Sequence, residues 1–126
     1  MGCLATVNGS ELRALCLSFP EVTEKLTWGD ADHAGDLTFR VRDKIFVITG
    51  DEQSTGASIR TSLEQQADLI AAFPDAFRSA PYVGRFGWVS VDLTRAPDDV
   101  VREVVASAWA RTAPKKLAAG HAGAPR

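Results

Sequence analysis

Two histidines and two cysteines are all the imidazole and thiol chemistry in this chain of 126 residues. Nucleophilic catalysis needs a base held beside a Ser or Cys. His121 falls among Ala, Gly and Pro near the C-terminus, which leaves His33 as the candidate base. With Asp30 and Asp32 it would make a partial metal site, but two carboxylates and one imidazole within four residues are poorly spaced to converge, and a solvated loop accounts for them equally well. Cys3 and Cys16 form no CxxC pair and read as two reduced thiols. Gly84-Arg85-Phe86-Gly87 is too short for a phosphate-cradling loop and precedes a strand rather than a helix. The chain is therefore expected to be non-enzymatic, with no catalytic residue, metal ligand or cofactor.

A surface is the better candidate. Trp88, Arg40, Arg60 and Ser90, with Lys44 and Arg85 nearby, are expected to form a binding site. A tryptophan opposite a core is costly to leave in water, and arginines beside it bind anions or stack on bases. Either a ligand occupies that surface, or the segment 81–87 or the C-terminal tail covers Trp88.

The elements that must position these residues follow from periodicity. Leu12, Leu15, Cys16 and Phe19 fall at helical spacing after Ser10, the expected N-cap, and Pro20 stops this first helix. Thr27 to Asp36 reads as a polar connection. Leu37–Val41 and Lys44–Ile48 alternate around Arg42-Asp43, which predicts a hairpin with Phe39 opposite Phe46 and Leu37 opposite Ile48 on the core face. Thr38, Arg40, Ile45 and Val47 then take the outer face. A short strand around Ala57–Arg60 adds Ser58 and Arg60 to it. Capping boxes at Thr61 and Ser62 open a second helix with Leu63, Ala67, Ile70 and Phe73 inward. Trp88–Leu93 alternates again, with Val89, Val91 and Leu93 inward and Trp88 and Ser90 outward. Pro97, Asp98 and Asp99 suit the start of a last helix whose apolar face runs from Val100 to Trp109. The order predicts an α+β fold: a mainly antiparallel sheet with helices packed on one face. Residues 1–117 read as a single domain and 118–126 as a disordered tail.

Composition sets further bounds. The net charge of −2 and a pI near 5.6 do not suit a domain made to hold phosphates overall, whose pI usually exceeds ~9. Nucleic-acid binding would need a local patch, and 97–126, with five Lys or Arg against three Asp or Glu, is the one basic segment. No apolar run approaches a membrane span and no signal peptide is visible, so no membrane partner is expected. The start Met1-Gly2-Cys3-Leu4-Ala5-Thr6 fits the loose myristoylation pattern, but ten Arg against four Lys and an Ala-rich end read as bacterial and cytoplasmic.

Several motifs in order carry a resemblance: Phe19-Pro20-Glu21-Val22-Thr23-Glu24, Thr38-Phe39-Arg40-Val41 leading to Lys44-Ile45-Phe46, Pro81-Tyr82, and Gly87-Trp88-Val89-Ser90-Val91. From about Glu11 to Leu117 the chain resembles the MmcQ/YjbR family. The resemblance implies a CyaY-like (frataxin-like) fold, called a double-wing in that family, and a DNA-binding role. The family commonly has a basic residue or histidine just before the tryptophan, where this chain has Phe86-Gly87. Frataxin-like folds also suggest iron on an acidic first helix, but that helix carries only Glu11 here. The expected partner is nucleic acid, bound weakly and in a salt-dependent way. The alternative is a protein or small ligand on the same Trp88 face.

Overall fold

A computed structural model describes residues 6–27, 36–50, 55–80 and 83–122, with the side chains of 27 and 120–122 left aside. Four α-helices and six strands follow one another as α1 (Gly9–Leu17), β1 (Val22–Thr27), β2 (Asp36–Val41), β3 (Lys44–Thr49), β4 (Gly56–Arg60), α2 (Leu63–Ala72), β5 (Phe77–Ser79), β6 (Trp88–Asp92), α3 (Asp98–Thr112) and α4 (Lys115–Ala122). The strands form one antiparallel sheet in the order β1-β2-β3-β4-β6-β5. This is the expected α+β architecture, with two strands more than alternation reveals. β1 lies in the polar stretch after Pro20, and β5 is three residues long at an edge.

The β2–β3 hairpin turns through Arg42 and Asp43, both left-handed at φ 47° and 68°. Two consecutive positive φ values make the tight turn whose twist matches paired strands, here without a glycine. Val41 pairs with Lys44 and Arg40 with Ile45, as a two-residue loop requires. A bulge then shifts the ladder, so Phe39 lies opposite Val47 rather than Phe46, and Leu37 opposite Thr49 rather than Ile48. The extra residue reverses the parity beyond it. Val47 and Thr49 are buried, and Ile48 goes to the outer face where Val47 was expected. Phe39 and Phe46 are both fully buried.

The helices begin where side chains can satisfy their free N–H groups. α1 is capped by Asn8, two residues before the expected Ser10: its Oδ1 accepts from the Glu11 N–H at 2.8 Å, and Glu11 Oε1 accepts from the Asn8 N–H at 3.1 Å. α2 is capped by Ser62, whose Oγ accepts from the Gln65 N–H at 2.9 Å. Its inner stripe is Gln66, Leu69, Ile70 and Phe73. Leu63 and Ala67, expected inside, are exposed. Hydropathy points to Leu63 as the head of that stripe, but Gln66 takes the place because its Nε2 donates to the carbonyls of Gly84 (2.8 Å) and Trp88 (2.6 Å). A half-buried amide satisfied in this way costs little.

α1, α2 and α3 all contribute to one core cluster with the inward residues of the sheet, including Phe39, Phe46, Ile59, Phe77, Val89 and Val91. Trp109 is its largest member. Its ring stacks on Phe19 at 5.6 Å, and its indole Nε1 donates to the Pro20 carbonyl at 3.1 Å, which fixes the C-terminal end of α3 beside the start of β1. Helix continues past Ala118, where the expected tail begins. α4 runs to Ala122, and Leu117 and Ala118 lie half-buried against the core. An Ala-rich stretch short of other apolar residues reads as a tail, yet alanine is the best helix former and needs only a surface to pack on. Among the described residues no helix is long and apolar enough to cross a membrane.

Candidate functional site

The face of the sheet opposite the core carries no described helix. One row crosses all six strands in register: Lys25, Thr38, Ile48, Ser58, Ser90 and Arg78. Nearer the Arg42-Asp43 turn, Thr23, Arg40 and Ile45 lie in register, and Arg60 sits directly opposite Trp88. Neighbouring strands are ~4.8 Å apart, so Arg40 on β2 and Arg60 on β4 stand about 10 Å from each other across β3. Arg40, Arg60, Trp88 and Ser90 are all half-buried. Thr38 is fully buried, its hydroxyl donating to the Lys25 carbonyl at 2.9 Å and accepting from Arg40 Nε at 3.3 Å.

Trp88 is positioned from below by a backbone clamp. A single 3-10 turn, Gly84–Phe86, leads into Gly87 at φ 96°. A Cβ on Gly87 would run into the Thr61 carbonyl, so only glycine lets β6 start this close to the β4–α2 junction. The Gly87 carbonyl in turn accepts both the N–H and the hydroxyl of Thr61. This closeness brings Arg60, Leu63, Arg85, Phe86 and Trp88 to one rim. The Arg85 guanidinium lies 4.8 Å from the centre of the Phe86 ring, and Phe86 (64%) and Leu63 (58%) are exposed to solvent. Among the described residues neither Arg60 nor Arg85 is in an ion pair.

The antiparallel topology also sorts charge. The end of the molecule with the Arg42-Asp43 turn collects Arg40, Arg42, Lys44, Arg60 and Arg85, and the end of α3 adds Arg111, Lys115 and Lys116, against the acids Glu21, Asp43 and Glu64. There Arg42 is neutralised by Glu21, whose carboxylate it grips at 2.8 and 3.0 Å. That hydrogen-bonded guanidinium holds the Glu21 carboxyl below the usual carboxylate range. The opposite end carries Asp36, Asp75, Asp92, Asp98 and Asp99; of its arginines, Arg95 and Arg102 pair with Asp92 and Asp98, and Arg78 lies beside Asp75 and Asp92. A net charge of −2 thus conceals a basic end and an acidic end.

Of the six residues expected in a binding site, the fold gathers Arg40, Arg60, Trp88 and Ser90 on one face and places Arg85 at its rim. Lys44 departs from them. It pairs with Val41, and side chains opposite each other share a face, so it starts from the core-facing side of the hairpin. Lys25 and Arg78 belong to the outer face and were missed because their strands were missed; the alternation Thr23-Lys25 was the available signal. Leu63 was missed as a surface residue because a large apolar side chain at helical spacing reads as core, and Phe86, in the short 84–87 segment, was given no role. Cys16 is buried and free, and burial pushes its thiol pKa far up. Asp30, Asp32, His33, Pro81, Tyr82 and Cys3 lie outside the described residues, as does the side chain of His121.

Three comparisons with known proteins bear on this fold. No curated protein matches the chain. A solved structure, the Deinococcus radiodurans protein DR2400 with a DUF419 domain, superposes with a TM-score of 0.76 over 95% of this chain and 91% of that one, at 20% identity. Identity that low speaks for the fold alone. The YjbR family model matches residues 17–111, from the end of α1 to the last turn of α3. With three-quarters of its length under that match, the chain belongs to the YjbR family.

Proposed function

We propose that this protein is a non-enzymatic, cytoplasmic binding module for single-stranded nucleic acid, and that the Arg40–Arg60–Trp88 end of the open sheet face is its site. One observation carries the reading: Arg60 stands in register opposite Trp88 on a face without a described helix, with no described carboxylate paired to it. An arginine beside an aromatic platform suits an unpaired base and its phosphate better than a duplex groove, because every base offers a stacking face. The sorting of cations to the same end supports it by supplying a local field that the net charge hides. The overall charge of −2 opposes tight binding, so affinity should be micromolar or weaker at physiological salt.

The test is a titration of a dye-labelled single-stranded oligonucleotide from low to moderate salt. Wild type should lose affinity linearly in log salt. The double variant Arg40→Ala/Arg60→Ala should flatten that slope by roughly 1.5–2 units, since each phosphate contact contributes ~0.7–1. Trp88→Ala should weaken binding by ~1–3 kcal/mol per stacked base with the slope unchanged. Absence of binding at low salt, or identical slopes, overturns the reading. A protein partner is the second reading, favoured by the exposed Phe86 and Leu63 at the rim. It would bind without the linear salt dependence.

A further inference from the structure

The acidic end of the sheet holds a groove of about 260 Å³ between β5, β6 and the start of β4. Gly56, Asp75, Arg78, Ser90 and Asp92 line it, so groups of both signs face one space. Drug-sized ligands need ~300–1,000 Å³, which limits this groove to a smaller molecule.

The two ends of the groove are chemically distinct. Arg78 is directly opposite Ser90, giving a guanidinium and a hydroxyl that together can hold a carboxylate. Asp92 is two residues further along β6, diagonal to Arg78, at a distance of ~7–8 Å between such positions. Its Oδ1 accepts from the Thr94 N–H at 3.0 Å and the Thr94 hydroxyl at 2.6 Å, and its Oδ2 faces Arg95 at 3.5 Å. The Thr94 hydroxyl bond, with smaller help from its N–H and the fields of Arg95 and Arg78, lowers the Asp92 pKa and keeps it charged. Arg78 and Asp92 therefore sense one another without joining in an ion pair. A carboxylate has acceptor sites left after two or three bonds, so Asp92 can still take an ammonium. Asp75, with no ion pair among the described residues, adds a second carboxylate to that side. Gly56, opposite Asp92, leaves the floor open: a Cβ there would meet only the Val91 carbonyl, at 3.5 Å.

We propose that this groove binds a small zwitterion, a free α-amino acid, with its carboxylate on Arg78 and Ser90 and its ammonium on Asp92 and Asp75. Arg78 and Asp92 are not joined to each other, although Asp92 pairs with Arg95, and the gap between them is bridged by a ligand that carries both signs a few ångströms apart. The site lies beyond Trp88 along β6, toward Asp92, and a free amino acid carries no phosphate, so its binding is tested apart from that of nucleic acid.

The experiment is amide-resolved NMR of the full chain titrated with a panel of free L-α-amino acids, each run beside its N-acetyl and carboxamide derivatives. Saturable shifts centred on Gly56, Ala76, Arg78, Ser90 and Asp92 are expected for at least one amino acid, with a Kd in the micromolar to millimolar range. Blocking either charged group should weaken binding at least tenfold. Arg78→Ala, an exposed position, should do the same, and Gly56→Val should abolish binding by filling the floor. Gly56→Val, which removes no charge, should bind single-stranded oligonucleotide as wild type does, which separates this test from the previous one. No saturable shift from any free amino acid at 10 mM, or equal binding of the N-acetyl form, overturns the proposal; so does unchanged amino-acid binding by Arg78→Ala.

Discussion

Phe39 and Arg40 are neighbours on β2, yet they belong to two different environments. Phe39 is fully buried in a cluster made of apolar side chains from three helices and the sheet. Arg40 lies on the reverse face among threonines, serines, isoleucines, further cations and one tryptophan. Both faces arise from the same strand alternation, so the difference lies in what each strand presents and what the helices choose to cover. The inner face gains from the hydrophobic effect, roughly 25 cal/mol per Å² of apolar surface removed from water. The outer face has too few apolar groups to draw a helix onto it. Its half-buried Trp88, Ile45 and Ile48 gain part of that benefit, and its arginines and hydroxyls keep the rest wet. A face of this kind is available to a partner.

The largest expected effect sets the two faces directly against each other. Phe39→Ala should cost about 3–5 kcal/mol, the usual range for a fully buried phenylalanine, while Trp88→Ala should cost less than ~2 kcal/mol. Urea denaturation of both variants checks this. If Trp88→Ala proves as damaging as Phe39→Ala, the outer face is a second core and the proposed site loses its platform.

A middle-sized effect concerns how far the inner face extends. Ending the chain at Pro114 removes α4 and uncovers the surface on which Leu117 and Ala118 rest. We expect a loss of ~1–2 kcal/mol, several degrees in Tm for a domain of this size, measured by thermal denaturation. An unchanged Tm would mean that α4 contributes nothing to the core.

The smallest effect sharpens the boundary of the inner face at β1. Glu24 accepts a bidentate pair from Arg13 on α1, at 2.8 and 2.6 Å, which lowers its pKa. A carboxyl whose folded pKa is depressed adds stability above its unfolded pKa, near 4.3, and loses that contribution as pH falls through the lower folded value. Arg13→Ala should bring the Glu24 pKa back toward its ordinary value, read by NMR titration. It should change stability by under ~1 kcal/mol at neutral pH, because both side chains keep about a third of their surface in water.

Much of this was legible in the order of residues. Val89, Val91 and Leu93 had to face inward together because strand side chains alternate, and the α3 stripe from Val101 to Trp109 had to bury one helical face. The hairpin turn, the Ser62 cap and the placement of Arg40, Arg60, Trp88 and Ser90 on one face followed from equally local rules. β1 and β5 did not. The strand Val-Thr-Glu-Lys-Leu-Thr carries only a short, weak alternation, and Leu26 is 63% exposed; it is a strand because β2 offers it a ladder. The bulge at Phe46 was equally hidden, since only the packing of both phenylalanines into one core makes an unpaired residue worthwhile.

By itself, then, the sequence determined which stretches could form elements and which faces of them could be buried, because propensity, capping and periodicity act over a few residues. Tertiary structure alone decided which charges share an end of the molecule. Arg40, Arg60, Arg85 and Arg111 are scattered over 72 positions of a chain with net charge −2. Antiparallel pairing, together with Trp109 holding the end of α3 at Pro20, returns them to one side and leaves Asp36, Asp75, Asp92 and Asp98 on the other. Electrostatic potential depends on distance in space rather than separation along the chain, so the basic end came into existence only when the sheet closed its order.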